Sequence, residues 1–380
     1  MKRSKIMDLK VQDFMSKDLV IAGPDEELSK IVGQMKAHDI HEIPVVRKNE
    51  YIGMVTLAEI ARRRDMPPTT KADKVLVASP QVSPGDDLPS VAEKMMGANM
   101  RALPVVEKKK LVGLISRTDL TRALSETEEV DNVAVVDLMS SSPLCVADDA
   151  DVAEARHVMA SLHERSVPVV DKDRKLIGVI GLKDLAAFFA APKKKEKRGE
   201  TVGESGSSEV AVSSLMRTPP VTLGPGAKLG QALGLMLHHD ISSVVVTERG
   251  EPVGMVTKAD VIEVVAGFKE RQELLVQISG LEEQPEVYEQ MYEQVRKGMK
   301  RVAGIVTPKI FNLHVVPYKG DGDRTKYSLR CRLTTATGML YARHFDWDLF
   351  LALDGLLDQL ESRIKKDKDR KVADRRRAGS

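Results

Sequence analysis

Four acidic residues close four copies of one phrase, and no other residues in the chain are so well placed to hold a ligand. The phrases are Gly53-Met54-Val55-Thr56, Gly113-Leu114-Ile115-Ser116, Gly178-Val179-Ile180-Gly181 and Gly254-Met255-Val256-Thr257, and the acids are Glu59, Asp119, Asp184 and Asp260. Three residues before the acid stands a hydroxyl in Thr56, Ser116 and Thr257, and a glycine, Gly181, in the third copy. A carboxylate so placed can accept charge-assisted hydrogen bonds from a ligand, which are stronger than neutral ones. It can equally cap the helix that follows a strand-to-helix turn, a favoured use of Asp. Both readings stand for Asp119 and Asp260. No residue is placed as a nucleophile beside a base, and no Walker-type phosphate loop occurs. The expectation is therefore a non-enzyme with no catalytic residues.

The elements around these acids repeat with them. Each glycine follows a short apolar run: Ile43–Val46, Leu103–Val106, Val167–Val170 and Ser243–Val246. Before each run comes a turn and an apolar pattern at helical spacing, such as Pro24-Asp25-Glu26-Glu27 and then Leu28, Ile31, Val32 and Met35. Pro84–Asp87 precedes Val91 and Met95, Asp148-Asp149 precedes Val152 and Met159, and Pro225-Gly226 precedes Leu229, Leu233 and Met236. The glycine anchors lie 60, 65 and 76 residues apart, so the unit is larger than a solenoid repeat. These are small αβ modules of the order β-α-β-β-α.

In these residues the chain resembles CBS domains, over about residues 9–64, 73–125, 134–190 and 211–267. The resemblance implies two tandem pairs, or Bateman modules, at 9–125 and 130–267, which commonly hold adenine nucleotides. It further implies that a Ser/Thr-x-x-Asp pattern holds the ribose, so Thr257 with Asp260 and Ser116 with Asp119 carry the intact signature. Thr56 with Glu59 has a longer acid, and Asp184 lacks its hydroxyl. A basic residue just before the apolar strand often meets phosphate in such sites, a place taken here by His41, Arg101 and Arg165, with Ser242 in the fourth copy. The expected regulatory ligand is AMP, ADP or ATP, with no metal. Tandem pairs bury apolar faces on one another within or between chains, and a homodimer is the expectation.

Composition fits a cytoplasmic protein of several domains. Charged residues make up 30% of the chain with a net charge of +2, which announces no polyanionic partner globally. Residues 268–380 hold 22 Lys+Arg against 17 Asp+Glu, a local excess of +5, while the rest carries −3. Cys145 and Cys331 stand far apart without a nearby His or Cys-x-x-Cys, so neither a disulfide framework nor a zinc site is indicated. No membrane-spanning run is found. Residues 191–209, beginning near Pro192-Lys193-Lys194-Lys195, read as a flexible charged linker.

After Gly267 the pattern changes to a two-layer β-α-β-β-β-α domain, about residues 272–371, with a basic tail at 372–380. Leu274–Ser279 is a strand, and Pro285 opens a helix with a stripe at Tyr288, Tyr292, Val295, Met299 and Val302. Phe311, Leu313 and Val315 alternate, and Gly320–Asp323 turns into Tyr327, Leu329, Cys331 and Leu333, with Lys326, Arg330 and Arg332 on the other face. Thr337-Gly338 turns into a strand from Met339 to Phe345, and a last helix from Trp347 buries Leu349, Leu353, Leu356, Leu360 and Ile364. This domain resembles the ribosome hibernation-promoting factor family, in Val276–Gly280 before the first helix, Ala352–Glu361 in the last, and Lys365–Arg370 at the close. The resemblance implies docking on the small ribosomal subunit and its rRNA with suppression of translation. The basic residues Arg296, Lys297, Lys300, Arg301, Arg330, Arg332, Arg363, Lys365, Lys366 and Lys368 are the candidates for RNA phosphates. The alternative is a CBS regulator of a protein partner, an enzyme or a non-ribosomal RNA.

Overall fold

The computed structural model describes residues 5–378 except 63–65, 129, 131–132, 142, 163–165, 182–183, 185–209, 270–273, 282, 320–324 and 336–337, and no side chain from 367 onward. The linker expected at 191–209, Arg165, the turn at Gly320–Asp323, and the side chains of Lys368 and of the basic tail lie outside the described residues, while the tail's backbone continues the last helix to Ala378.

Each module is built on a hairpin. In module one Glu42–Arg47 pairs antiparallel with Glu50–Thr56, and in module two Ala102–Glu107 pairs with Lys110–Ser116. The turn residues Lys48-Asn49 and Lys108-Lys109 both have positive φ, as a right-twisted two-residue hairpin turn requires. The two hairpins join edge to edge where Tyr51 N donates to the Lys109 carbonyl at 3.0 Å, giving one four-stranded sheet. Modules three and four repeat the hairpins but keep them in two separate sheets: Ser166–Val170 pairs with Leu176–Gly181, and Ser243–Glu248 with Glu251–Thr257. Leu176 N meets the Gly250 carbonyl at 2.9 Å between them. The leading β element is minimal, a two-residue strand at Val146–Ala147 and Thr222–Leu223 and a single bridge at Ala22 and Val82.

The recurring glycine has a physical cause in this pairing. The strap before each module crosses to its neighbour: Ser16 pairs with Leu114, Val77 with Met54, Ser140 with Met255, and Arg217 with Val179. A Cβ on Gly113, Gly178 or Gly254 would lie under 3.0 Å from the sulfur of Met15, Met216 or Met139 on the crossing strap. Only glycine lets the strap close over the hairpin.

The two pairs meet through their second modules. Helices Leu88–Gly97 and Arg117–Ser125 of module two pack against Leu229–His238 and Lys258–Gly267 of module four. Leu88, Val91, Met95, Leu120 and Leu124 share one fully buried cluster with Leu229, Leu233, Met236, Val261 and Val265. Each such side chain contributes roughly 1.5–3 kcal/mol relative to exposure, so the contact is core and not a surface encounter.

The C-terminal domain follows the expected order. Its strands Leu275–Ser279, Pro308–Lys319, Thr325–Thr335 and Gly338–Asp346 lie in sequence order, the first pair parallel and the others antiparallel. Helices Pro285–Val302 and Leu349–Ala378 supply the apolar residues that meet Phe311, Leu313, Val315, Leu329, Cys331 and Leu333. One position of the expected stripe is displaced: Met291 is fully buried, whereas Tyr292 is 37% exposed. The helix turns so that Gly298, and not a side chain, faces Leu357 of its partner helix. The opposite face of the sheet, open in the sequence reading, is covered at one end by module four: Ile310 joins the module core, and Thr334 packs on Gly267.

Candidate functional site

The four acids sit where their helices begin, and the three aspartates each spend one oxygen on the backbone. In module two Asp119 Oδ2 accepts from Ser116 N at 2.8 Å and Ser116 Oγ at 2.6 Å. In module four Asp260 Oδ2 accepts from Thr257 N at 2.6 Å and Thr257 Oγ1 at 2.9 Å. The acid's own N–H donates back to the hydroxyl in both, completing a capping box. In module three Asp184 Oδ2 takes Gly181 N at 2.8 Å without a hydroxyl. In module one Glu59 N donates to Thr56 Oγ1 at 3.1 Å. The cap and the ligand readings divide between the two oxygens: the aspartates cap with Oδ2 and turn Oδ1 outward.

That second oxygen meets an arginine in three modules, each time from a different source. Arg122 Nη1, one turn along the same helix, lies 3.1 Å from Asp119 Oδ1, and its side chain is 51% exposed. Arg217 Nε, on the crossing strap, lies 3.1 Å from Asp184 Oδ1 and is similarly exposed. In module four the arginine is Arg332, from the C-terminal sheet. Its Nη2 stands 2.5 Å from Asp260 Oδ1, and the two side chains are 17% and 1% exposed. Arg332 Nη1 also donates to Glu263 Oε1 at 2.8 Å, and Nη2 to Ser140 Oγ at 3.3 Å.

Charge is concentrated here. Burial alone would lower the Arg332 guanidinium, but Asp260 and Glu263 raise it above its ordinary value. Burial raises the Glu263 carboxyl, with Arg332 opposing and Asp260 adding to the rise. Burial lowers Arg117 of module two, against the pull of Glu42, Glu263 and Asp260. Lys258 Nζ reaches back to Thr118 Oγ1 of module two at 3.0 Å. The module-four acid is therefore enclosed by module two on one side and the C-terminal sheet on the other.

His41 and Arg101 stand at the head of their apolar strands, where their carbonyls accept Leu57 N and Arg117 N, each at 2.8 Å. Glu42, which carried no signal in the sequence beyond its place at the strand start, ties the first pair together. Its two oxygens accept Arg101 N at 2.9 Å and Ala102 N at 2.7 Å. The matching contact in the second pair is Ser166 Oγ to Ser243 Oγ at 2.8 Å.

The basic residues of the C-terminal domain separate into two groups. Lys297, Lys300 and Lys366 are exposed, and Arg296 lies 3.7 Å from Glu293 on its own helix. Arg330 is half-buried in register with His314 and Arg343. Arg301 instead clasps the two helices, 3.2 Å from Asp358 and 3.3 Å from Glu361, and Lys365 pairs with Glu361 at 2.7 Å. Arg363 donates to the Tyr341 carbonyl. Arg332, placed on an open face by the strand alternation, is inside the module-four contact, because the face it shares with Thr334 is covered. A groove of about 730 Å³ runs between the edge strand and the last helix, lined by Tyr341, Arg343, His344, Ser362, Arg363 and Lys366. Beside it Phe345 and Trp347 are 62% and 57% exposed, with Lys326 Nζ 4.2 Å from the Phe345 ring centre. With aromatics only 4% of the chain, two exposed neighbours on one strand end are the signal that sequence reading passed over. Among the described residues no helix is long and apolar enough to cross a membrane, and no cluster of metal-ligating side chains occurs.

Comparison with known proteins agrees with the repeat. The CBS domain family matches residues 11–65, 76–126, 135–191 and 212–267, more than half of the chain. The uncharacterized protein MJ1404 of Methanocaldococcus jannaschii is 24% identical over 277 residues, covering 71% of this chain and 65% of its own length. YlbB of Bacillus subtilis is 36% identical over 103 residues, covering 27% of this chain and 69% of its own. Among solved structures, protein MJ1225 of Methanocaldococcus jannaschii, described as a candidate archaeal homolog of g-AMPK, superposes with a TM-score of 0.54 at 18% identity. It covers 67% of this chain and 99% of its own. That likeness carries the fold alone. The family matches end at Gly267, so the C-terminal domain stands on its own geometry.

Proposed function

Because this chain belongs to the CBS domain family, we propose that it is a sensor of adenine nucleotides whose modules control the docking of its C-terminal domain on the rRNA of the small ribosomal subunit. The observation that carries the sensing half is the outward oxygen of Asp119 and Asp260. A buried capping-box carboxylate whose second oxygen is held by an arginine and not by the cap is suited, once that arginine moves aside, to the two hydroxyls of a ribose, each as a charge-assisted hydrogen bond. His41 and Arg101 are the phosphate partners in this reading, with Thr56, Glu59 and Asp184 serving the weaker sites.

Support for the docking half comes from the C-terminal domain. Its β-α-β-β-β-α order is that of the family it resembles, and Lys297, Lys300 and Lys366 remain exposed. The basic groove and the Phe345–Trp347 pair add phosphate and base-stacking chemistry suited to RNA loops. Full-length protein should sediment with purified small subunits at low salt and lose them steeply as salt rises, because Lys/Arg-phosphate contacts release counterions. Charge reversal at Lys297, Lys300 and Lys366 together should abolish this. Failure to sediment even at low salt would replace the ribosome with a protein partner. The homodimer belongs to the same proposal, and light scattering near twice the 41.9 kDa chain mass supports it.

A further inference from the structure

The module-four acid differs from its relatives in what fills it. Its outward oxygen is already taken by Arg332, a side chain from another domain, 72 positions later in the chain. The guanidinium lies in ion-pair contact with Asp260 Oδ1 and donates an N–H to Glu263 Oε1, so its planar fork spans both acids, while Asp260 Oδ1 itself accepts no hydrogen bond. The insertion is also part of a docked surface. Ile310 lies in the module core, Thr334 covers Gly267, and Lys309 Nζ donates to the Gly267 carbonyl at 2.6 Å. A ligand cannot take Asp260 Oδ1 without moving Arg332, and Arg332 cannot leave with its strand in place unless this packing opens.

We propose that Arg332 is an internal occupant of the module-four ligand site, so that a ribose-bearing ligand at Asp260 and the docking of the C-terminal sheet on module four exclude one another. This rests on the reading that Asp260 accepts sugar hydroxyls. When Arg332 withdraws, Asp260 and Glu263 keep Arg117 beside them, so the acids are not left without counter-charge. The released sheet face carries Arg332 out of the contact, adding a basic group to the surface of the domain only in the liganded state. Module two, whose acid is met by an exposed arginine of its own helix, has no such coupling.

The test uses the full chain, with Asp119→Ala in every protein to silence module two. AMP and ATP are titrated by calorimetry into this background, into the same with Arg332→Gln, and into the same with Glu263→Gln. If the open state is populated at about 10% or less, Arg332→Gln tightens binding about tenfold or more. Glu263→Gln, which loosens the clamp and leaves Asp260 untouched, shifts affinity the same way and guards against a folding defect in the first variant. Hydrogen exchange should show ligand deprotecting the amides of 310–312 and 332–334 in the background protein. Equal or weaker binding in both variants, with exchange unchanged by ligand, overturns the exclusion while the nucleotide reading stands. Absence of binding to all three proteins overturns both the exclusion and the ribose reading of Asp260.

Discussion

Modules two and four are built from the same capping box, yet one acid faces solvent-accessible company and the other is sealed inside the molecule. Ser116–Asp119 and Thr257–Asp260 have matching hydrogen bonds to within a few tenths of an ångström. Their helices pack on each other across the same apolar cluster. The difference lies in the arginine: Arg122 is a neighbour on an exposed helix face, whereas Arg332 arrives from a separate domain and is itself buried. Local sequence sets the acid's geometry, and tertiary context sets what the acid is free to do.

The largest expected effect separates these arginines directly. Arg332→Ala removes the guanidinium from a buried cluster and leaves Asp260 and Glu263 with reduced counter-charge, which should cost about 3 kcal/mol of unfolding free energy in urea. Arg122→Ala breaks an exposed pair and should cost under about 1 kcal/mol. Equal losses would show that Arg332 is no more deeply tied to its acid than Arg122. Asp119→Ala should cost about 1 kcal/mol, the worth of a helix cap, whereas Asp260→Ala should cost more because it also takes one of the two acidic partners from the buried Arg332.

The smallest expected effect is an absence of reaction. Burial pushes the Cys331 thiol, next to Arg332, up to about 12. A raised folded-state value favours the protonated thiol, so this contribution to stability is intact below the ordinary cysteine value and lost only as pH rises through about 12. Cys331 should therefore resist iodoacetamide at neutral and mildly alkaline pH until the C-terminal domain unfolds. Labelling of the folded protein would show that the sheet beside Arg332 opens on its own.

Much of this was legible in the chain. The four phrases located every candidate acid, and the alternation of Phe311, Leu313 and Val315 and of Leu329, Cys331 and Leu333 located the C-terminal core. The same alternation put Arg332 on the opposite face correctly but could not show that module four covers that face. A period-two pattern reports which side a residue points to, not what another domain lays over it. Tyr292 misled for a related reason: Met291 is as apolar a candidate, and Gly298, silent in a hydrophobic pattern, decides where the two helices approach. Arg301 reads as a free charge because its acidic partners, Asp358 and Glu361, come from the last helix, whereas the partner of Lys365, Glu361, stands four residues earlier on its own helix and was legible.

If the outward oxygens of Asp119 and Asp260 hold a nucleotide ribose, calorimetric titration of the full-length protein with AMP, ADP and ATP should give saturable heat with at least one of them. Affinity should weaken by about 1.5–3 kcal/mol in Asp119→Ala and in Asp260→Ala at the site each serves. No heat with any of the three, or binding untouched by both substitutions, would rule the ribose role out.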